Sequence, residues 1–270
     1  MRLLLMLCSA LLIGTGPGGT AIADTAAEAG RKLAQKMYDA PNGDDQAARA
    51  VMTLTEHGRE PRRREMYVLR IDRGAGERWS LNRFTGPSDI KGVGLLTKDY
   101  PGDKTDQWLY LPALDRVRRV SSSRKGGRFV GSDLFFEDLR DREVDMDHHV
   151  LKGDGKFGRL KVKILVSTPV DPSTSVYSKR VSWVHPKTLI PLRVDLYKGR
   201  SKKPTKRMTV KKIKKIQGYW TVLDSTMKDL KTGHRTRITQ TKVKYNQRIP
   251  DRLFSSRALA DAATEAKYRP

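Results

Sequence analysis

Asp145, Asp147 and His149 occupy alternate positions of one segment, so in an extended chain their side chains share a face, with His148 on the other. Oxygen and nitrogen donors arranged in this way could begin a metal site. Alternating polar residues are equally the mark of a solvent-facing strand, and no second donor cluster converges on these three in the sequence. No metal is expected there. Gly153, Gly155 and Gly158 have the spacing of a dinucleotide-binding loop. Such a loop needs a strand before it and a helix after it, so that a pyrophosphate meets the helix N-terminus. A strand-like run, 160–166, follows instead, and the glycines are expected to form a hairpin turn. Nucleophilic chemistry has no Gly-x-Ser-x-Gly elbow, and no Ser-x-x-Lys box with its partner motifs. Asp133, Glu137 and Asp138 lie close together, where they would favour the N-terminal end of a short helix. His57, His185 and His234 stand apart from one another and are expected at surface or turn positions. No catalytic residue and no cofactor is expected.

The elements that would position any site are mostly strands. Residues 26–38 have near-helical apolar spacing, and Pro41-Asn42-Gly43-Asp44 stops that helix. The period then becomes two. Strands are expected at 50–56, 65–72, 77–85, 94–98, 107–111 and 116–121. A short helix capped by Ser132 or Asp133 is expected within 129–139. Strands resume at 143–151, 159–167, 178–185, 192–198, 206–217, 219–230 and 236–245, and a short helix at 251–260 follows. Hairpin-length connections favour a mainly β (α+β) fold built on a single curved antiparallel sheet over a parallel α/β fold. Met66 and Val68 alternate with Tyr67, Leu69 and Ile71, so that strand is apolar on both faces and must be covered on both. A sheet curled around its own interior, with helices over the open side, satisfies this requirement.

The N-terminal residues read as an export signal: Arg2, an apolar run over 3–13, and small residues at Ala21 and Ala23. Residues 1–23 are expected to be a cleaved signal peptide and 24–270 a single β domain, placed in the periplasm. Cys8 lies inside the apolar run behind Leu7, a poor context for lipidation, and would leave with the signal. The remaining chain then has no disulfide, thiol nucleophile or thiolate metal site. The chain has 270 residues and a formal net charge of +24, which predicts anionic partners. Export makes nucleic acid the least suitable of them. Arg116, Arg118, Arg119, Arg124 and Lys125 form one basic tract, and others occur at 62–64, 202–207 and 211–215. Cations beside an apolar opening suit an anionic amphiphile, whose head is paired at the rim while its chains leave water. Each buried methylene is worth about 0.8 kcal/mol, so such binding needs no catalytic motif.

Four segments carry a family resemblance. They are Gln-Trp-Leu-Tyr-Leu-Pro-Ala-Leu-Asp-Arg-Val-Arg-Arg-Val over 107–120, Phe-Val-Gly-Ser-Asp-Leu-Phe-Phe-Glu-Asp-Leu over 129–139, His-Pro-Lys-Thr-Leu-Ile-Pro-Leu-Arg-Val over 185–194, and Ile-Pro-Asp-Arg-Leu-Phe-Ser over 249–255. Together they resemble the outer-membrane lipoprotein-sorting-protein-like branch of the LolA/LolB superfamily. The resemblance implies a half-open β-barrel with a few short helices covering its mouth, enclosing an apolar cavity for acyl chains. It also implies a periplasmic carrier of a lipid or acylated lipoprotein, with transient membrane contact and an inner-membrane transporter of the RND type as partner. Candidate cavity residues are Trp79, Leu81, Leu109, Leu111, Phe135, Phe136, Trp183, Val194, Leu196, Trp220 and Val222. Arg116, Arg118, Arg119, Arg124 and Lys125 are the candidates for an anionic headgroup or a partner. Two other functions stay open at this point. One is a non-catalytic module that holds an anionic envelope polymer on its basic surface. The other is a lipid or envelope-polymer hydrolase assembled from distant strands.

Overall fold

The computed structural model describes residues 18–270. Helix α1 (Gly18–Tyr38) leads into β1 (Asp45–Thr55), β2 (Arg62–Gly74), β3 (Glu77–Gly86), β4 (Gly94–Asp99), β5 (Thr105–Leu111) and β6 (Arg116–Arg119). After a long connector come β7 (Asp147–Phe157), β8 (Leu160–Pro169), β9 (Lys179–Val184), β10 (Pro191–Tyr197), β11 (Lys206–Ile216), β12 (Tyr219–Asp229) and β13 (Arg235–Tyr245). A short helix, α2 (Ser256–Ala260), lies near the C-terminus. The signal segment expected at 1–23 falls largely outside the described residues.

The strands form one antiparallel sheet in the order β6-β5-β4-β3-β2-β1-β13-β12-β11-β10-β9-β8-β7, and β6 does not pair with β7. It is therefore an open sheet. It is also strongly curved. Leu95 on β4 and Val194 on β10 belong to one buried cluster, although seven strand spacings, roughly 34 Å, would separate their strands in a flat sheet. Curling brings both halves of the concave face onto common partners. These partners come from the connector 120–146: Phe129, Leu134 and Phe136 pack there with Met52, Leu54, Met66, Phe84, Leu196 and Met227. At the β7 edge α1 supplies the cover, where Ala34 packs with Leu165 and Val184. A Cβ on Gly30 would stand 2.7 Å from the backbone nitrogens of Val150 and Leu151, so only glycine lets the helix sit this close to β7.

The convex face is covered over β1–β5. Tyr67, Leu69, Ile71, Leu81 and Leu96 pack beneath Ile249, Leu253, Phe254 and Leu259 of the C-terminal segment. The two-sided apolar pattern of β2 is thus matched by two separate covers.

Three local expectations are corrected. Residues 132–135 are not helical: single 3₁₀ turns at Phe129–Gly131 and Phe136–Leu139 flank an extended stretch. Backbone bonds from Phe136 to Gly127 and from Glu137 to Lys125 fold the segment back on itself, leaving no room for a continuous helix. The glycines at 153–155 are not a turn, because β7 runs through them and reverses only at Gly158. A Cβ on Gly155 would lie 2.8 Å from the Ile164 side chain, which would have to shift to admit it. His234 lies in the turn between β12 and β13 but is buried there, not at the surface, and bonds to Asp133.

Candidate functional site

Where the sheet ends at β6, the connector leaves its edge and crosses the concave face, and two depressions result. The first is an apolar groove of about 360 Å³ lined by Leu109, Leu111, Val120 and Phe136, with Arg118, Arg119 and Arg124 around it. Leu109 sits directly across from Arg118 in the β5–β6 ladder, so one strand supplies the wall and its neighbour the charge. The floor is fixed in place, because Gln107 Nε2 donates to the Phe136 carbonyl at 3.0 Å.

The second depression is a polar cleft of about 740 Å³ that shares Arg119, Val120 and Ser121 with the groove. Lys125, Arg140, Thr105, Ser173 and Asp171 complete most of its lining. Arg119 is paired with Asp106, and Lys125 donates to the Ser173 carbonyl. Arg140 Nε donates to Thr105 Oγ1 at 2.8 Å. Ser121 and Ser123 hydrogen-bond to each other at 2.8 Å. Arg118 and Arg124 form no ion pair among the described residues and are exposed, so they are the cations ready to meet an anion at the groove.

Behind these depressions the connector is held by buried polar contacts. Glu137 accepts from Arg180 at 2.5 Å and from the Val176 amide at 2.6 Å. Asp138 accepts from the Phe135 amide at 2.7 Å and the Tyr177 hydroxyl at 2.9 Å. Burial raises the pKa of both Asp138 and Tyr177. Asp133 accepts from His234 at 2.5 Å and Thr236 at 2.8 Å, tying the connector to β13. Lys206 lies 3.0 Å from the Phe135 ring centre and donates to the Asp133 carbonyl at 2.5 Å. Its pKa is pushed down to about 8 by burial.

Asp99, buried behind the cleft-lining Thr105, accepts from Thr105 Oγ1 at 2.7 Å and from the Asp141 amide at 2.8 Å. Burial outweighs these bonds and pushes its pKa up to about 6 from an ordinary 3.8. A raised carboxyl pKa means that the folded state binds the proton more tightly than the unfolded chain does. The resulting stabilisation is complete below about pH 3.8 and is lost as pH rises through about 6. Asp99→Asn should therefore gain on the natural protein by on the order of 2–3 kcal/mol between pH 4 and pH 7.5. Urea unfolding of both proteins at the two pH values measures this, and a pH-independent difference would show that the Asp99 pKa is the same in the folded and the unfolded chain.

The structure separates the residues singled out from sequence. Leu109, Leu111, Phe135, Phe136, Val194 and Leu196 belong to the concave cluster, and of these Leu109, Leu111 and Phe136 line the groove. Trp79 and Leu81 lie on the convex face beneath the C-terminal segment. Trp183 and Val222 join a third cluster, around Val162, Leu192 and Val210, while Trp220 is exposed. Among the cations, Arg118, Arg119 and Arg124 surround the groove, Arg119 and Lys125 line the cleft, and Arg116 borders neither. Asp145 pairs with Arg31 and Asp147 with Arg142, while His149 bonds to Ser167 and the Val144 carbonyl. The three donors therefore do not converge, and no cluster of metal-ligating residues occurs among the described residues. Sequence reading did not find the Asp133–His234–Thr236 tie, in which Asp133 is about a hundred positions from its two partners.

A LolA superfamily protein from Nitrosomonas europaea superimposes with a TM-score of 0.65 at 19% identity, over 85% of this chain and 97% of its own. Two solved structures are nearer in sequence. A domain from Vibrio parahaemolyticus, described as an outer membrane lipoprotein-sorting protein domain, is 29% identical with a TM-score of 0.82 over 87% of this chain and 99% of its own. A DUF1329 family protein from Desulfovibrio piger is 30% identical with a TM-score of 0.83 over the same shares. A family model described as that of an uncharacterized protein matches residues 76–261. The chain belongs to the DUF1329 family and shares its fold with the LolA superfamily protein. A search of curated proteins found no match.

Proposed function

We propose that the protein is a non-catalytic carrier in the bacterial envelope. It binds the acyl chains of a lipid or lipoprotein in the groove between β5, β6 and the connector, with Arg118 and Arg124 against the anionic head. The observation that carries this reading is the contact of an apolar groove with unpaired cations at the open edge of the sheet. The groove volume falls within the roughly 300–1,000 Å³ of small-molecule sites. Each methylene that enters contributes about 0.8 kcal/mol. A longer chain has to displace part of the connector, whose own Phe129, Leu134 and Phe136 occupy the concave interior.

The Vibrio relative's description supports a role in sorting between membranes. On this reading residues 1–23 direct export to the periplasm, and an inner-membrane transporter of the RND type hands over the cargo. The test is mass spectrometry of organic extracts of the purified protein, paired with titration of a fluorescent fatty-acyl probe. Co-purifying phospholipid or acylated peptide is expected. Arg118→Ala and Arg124→Ala should each weaken probe binding roughly tenfold, the value of one hydrogen bond to a charged group. Leu109→Glu should abolish the binding. A protein without lipid and with no probe uptake, but with salt-sensitive retention of a polyanion, would instead establish a module for anionic envelope polymers.

A further inference from the structure

The half of the sheet remote from the groove carries a second surface. In the meander β7 to β13, alternate hairpins turn at the same end, so the tips at 157–160, 185–190 and 216–219 lie together. Phe157, Ile190 and Ile213 from these three hairpins share one apolar cluster, which confirms the grouping. The β11–β12 hairpin closes with a tight turn in which Gln217 and Gly218 both have positive φ, 48° and 91°. Two large apolar side chains stand out near these tips, Leu160 at 47% exposure and Trp220 at 44%. Lys215 faces Trp220 across the β11–β12 ladder.

Within the tips the charge is of one sign, while Asp39, Asp44 and Asp72 line a depression on the Tyr219 side of the third. Residues 155–163, 184–194 and 209–223 contain no Asp or Glu. Lys156, Arg159, Lys161, Lys187, Lys214 and Lys215 form no ion pair among the described residues.

We infer that these hairpin tips dock the protein on an anionic lipid bilayer, with Trp220 and Leu160 entering the interfacial layer and the surrounding cations lying against the headgroups. Indole rings favour the boundary between headgroup and hydrocarbon, and each lysine near an anionic surface contributes about 1 kcal/mol. Lysine stems also lie along apolar surface while their ammonium groups reach phosphate. A protein partner would match these residues with a flat or concave apolar patch, whereas Leu160 and Trp220 project singly from separate hairpins.

This inference does not rest on the carrier reading, because it concerns a different surface. The test is flotation of the purified protein with vesicles of phosphatidylcholine alone and with vesicles containing one-third phosphatidylglycerol. Binding to the anionic vesicles only, weakened by salt, is expected. Lys214→Glu combined with Lys215→Glu should lower vesicle affinity at least about 30-fold, from about 1 kcal/mol per lysine. The same double variant should retain natural uptake of the acyl probe in the groove. Trp220→Ser, a second and independent variant, should reduce flotation and remove a blue shift of tryptophan emission on vesicle addition. Absence of flotation with anionic vesicles, equal binding to both vesicle types, or full binding by the double variant would overturn the inference. Retention of the protein by polyglutamate without flotation would also overturn it, in favour of an acidic polypeptide partner.

Discussion

Glu265→Ala is expected to lower the free energy of unfolding by about 3–5 kcal/mol, the cost of leaving a buried charge without its partner. Arg83 is almost wholly buried on β3, and Glu265 from the C-terminal segment is fully buried above it. Arg83 Nη2 donates to Glu265 at 2.6 Å and to the Leu259 carbonyl at 2.7 Å, while Tyr67 donates its hydroxyl to the other carboxylate oxygen. Burial, followed by the neighbouring Glu265 charge, raises the Tyr67 pKa. Removing the carboxylate leaves the guanidinium with two backbone carbonyls and no counter-charge. The segment that covers Leu69, Leu81 and Leu96 should then loosen. Urea unfolding measures the loss, and faster proteolytic cleavage after residue 249 locates it. An unchanged midpoint would mean that the pair contributes no net stability in place.

The second large effect is expected at the connector. Phe129 is 1% exposed, and its ring lies 5.7 Å from that of Phe84 and 6.0 Å, edge-on, from that of Phe136. Phe129→Ala removes the side chain that joins the connector to β3, at a cost of about 3–5 kcal/mol for a buried phenylalanine. Phe136, freed on one side, also forms part of the groove. The variant should therefore lose stability and at the same time take up an acyl probe more readily, because less of the protein's own apolar surface has to be displaced. Thermal unfolding and probe titration on the same preparation separate the outcomes. Loss of stability with unchanged or weaker uptake would show that the connector is not the element that yields to cargo.

These predictions come from opposite faces of one sheet, which marks the limit of what local pattern determines. Period-two alternation was enough to detect thirteen strands, because each buries side chains on a pleated surface, although it ended β7 at residue 151, before the glycines that the strand runs through. The two-sided apolar character of β2 required covers on both faces, and the motifs at 107–120 and 129–139 pointed to the family that the solved relatives bear out. Alternation assigns a residue to one of two faces, but it does not say what covers that face. Leu81 and Leu109 therefore look alike in sequence, yet one packs beneath the C-terminal segment and the other lines the groove. Curvature, the course of the connector and contacts such as Arg83–Glu265 join residues more than a hundred positions apart. Only the folded chain decides them, because burial and charge pairing act through space and leave no period along the sequence.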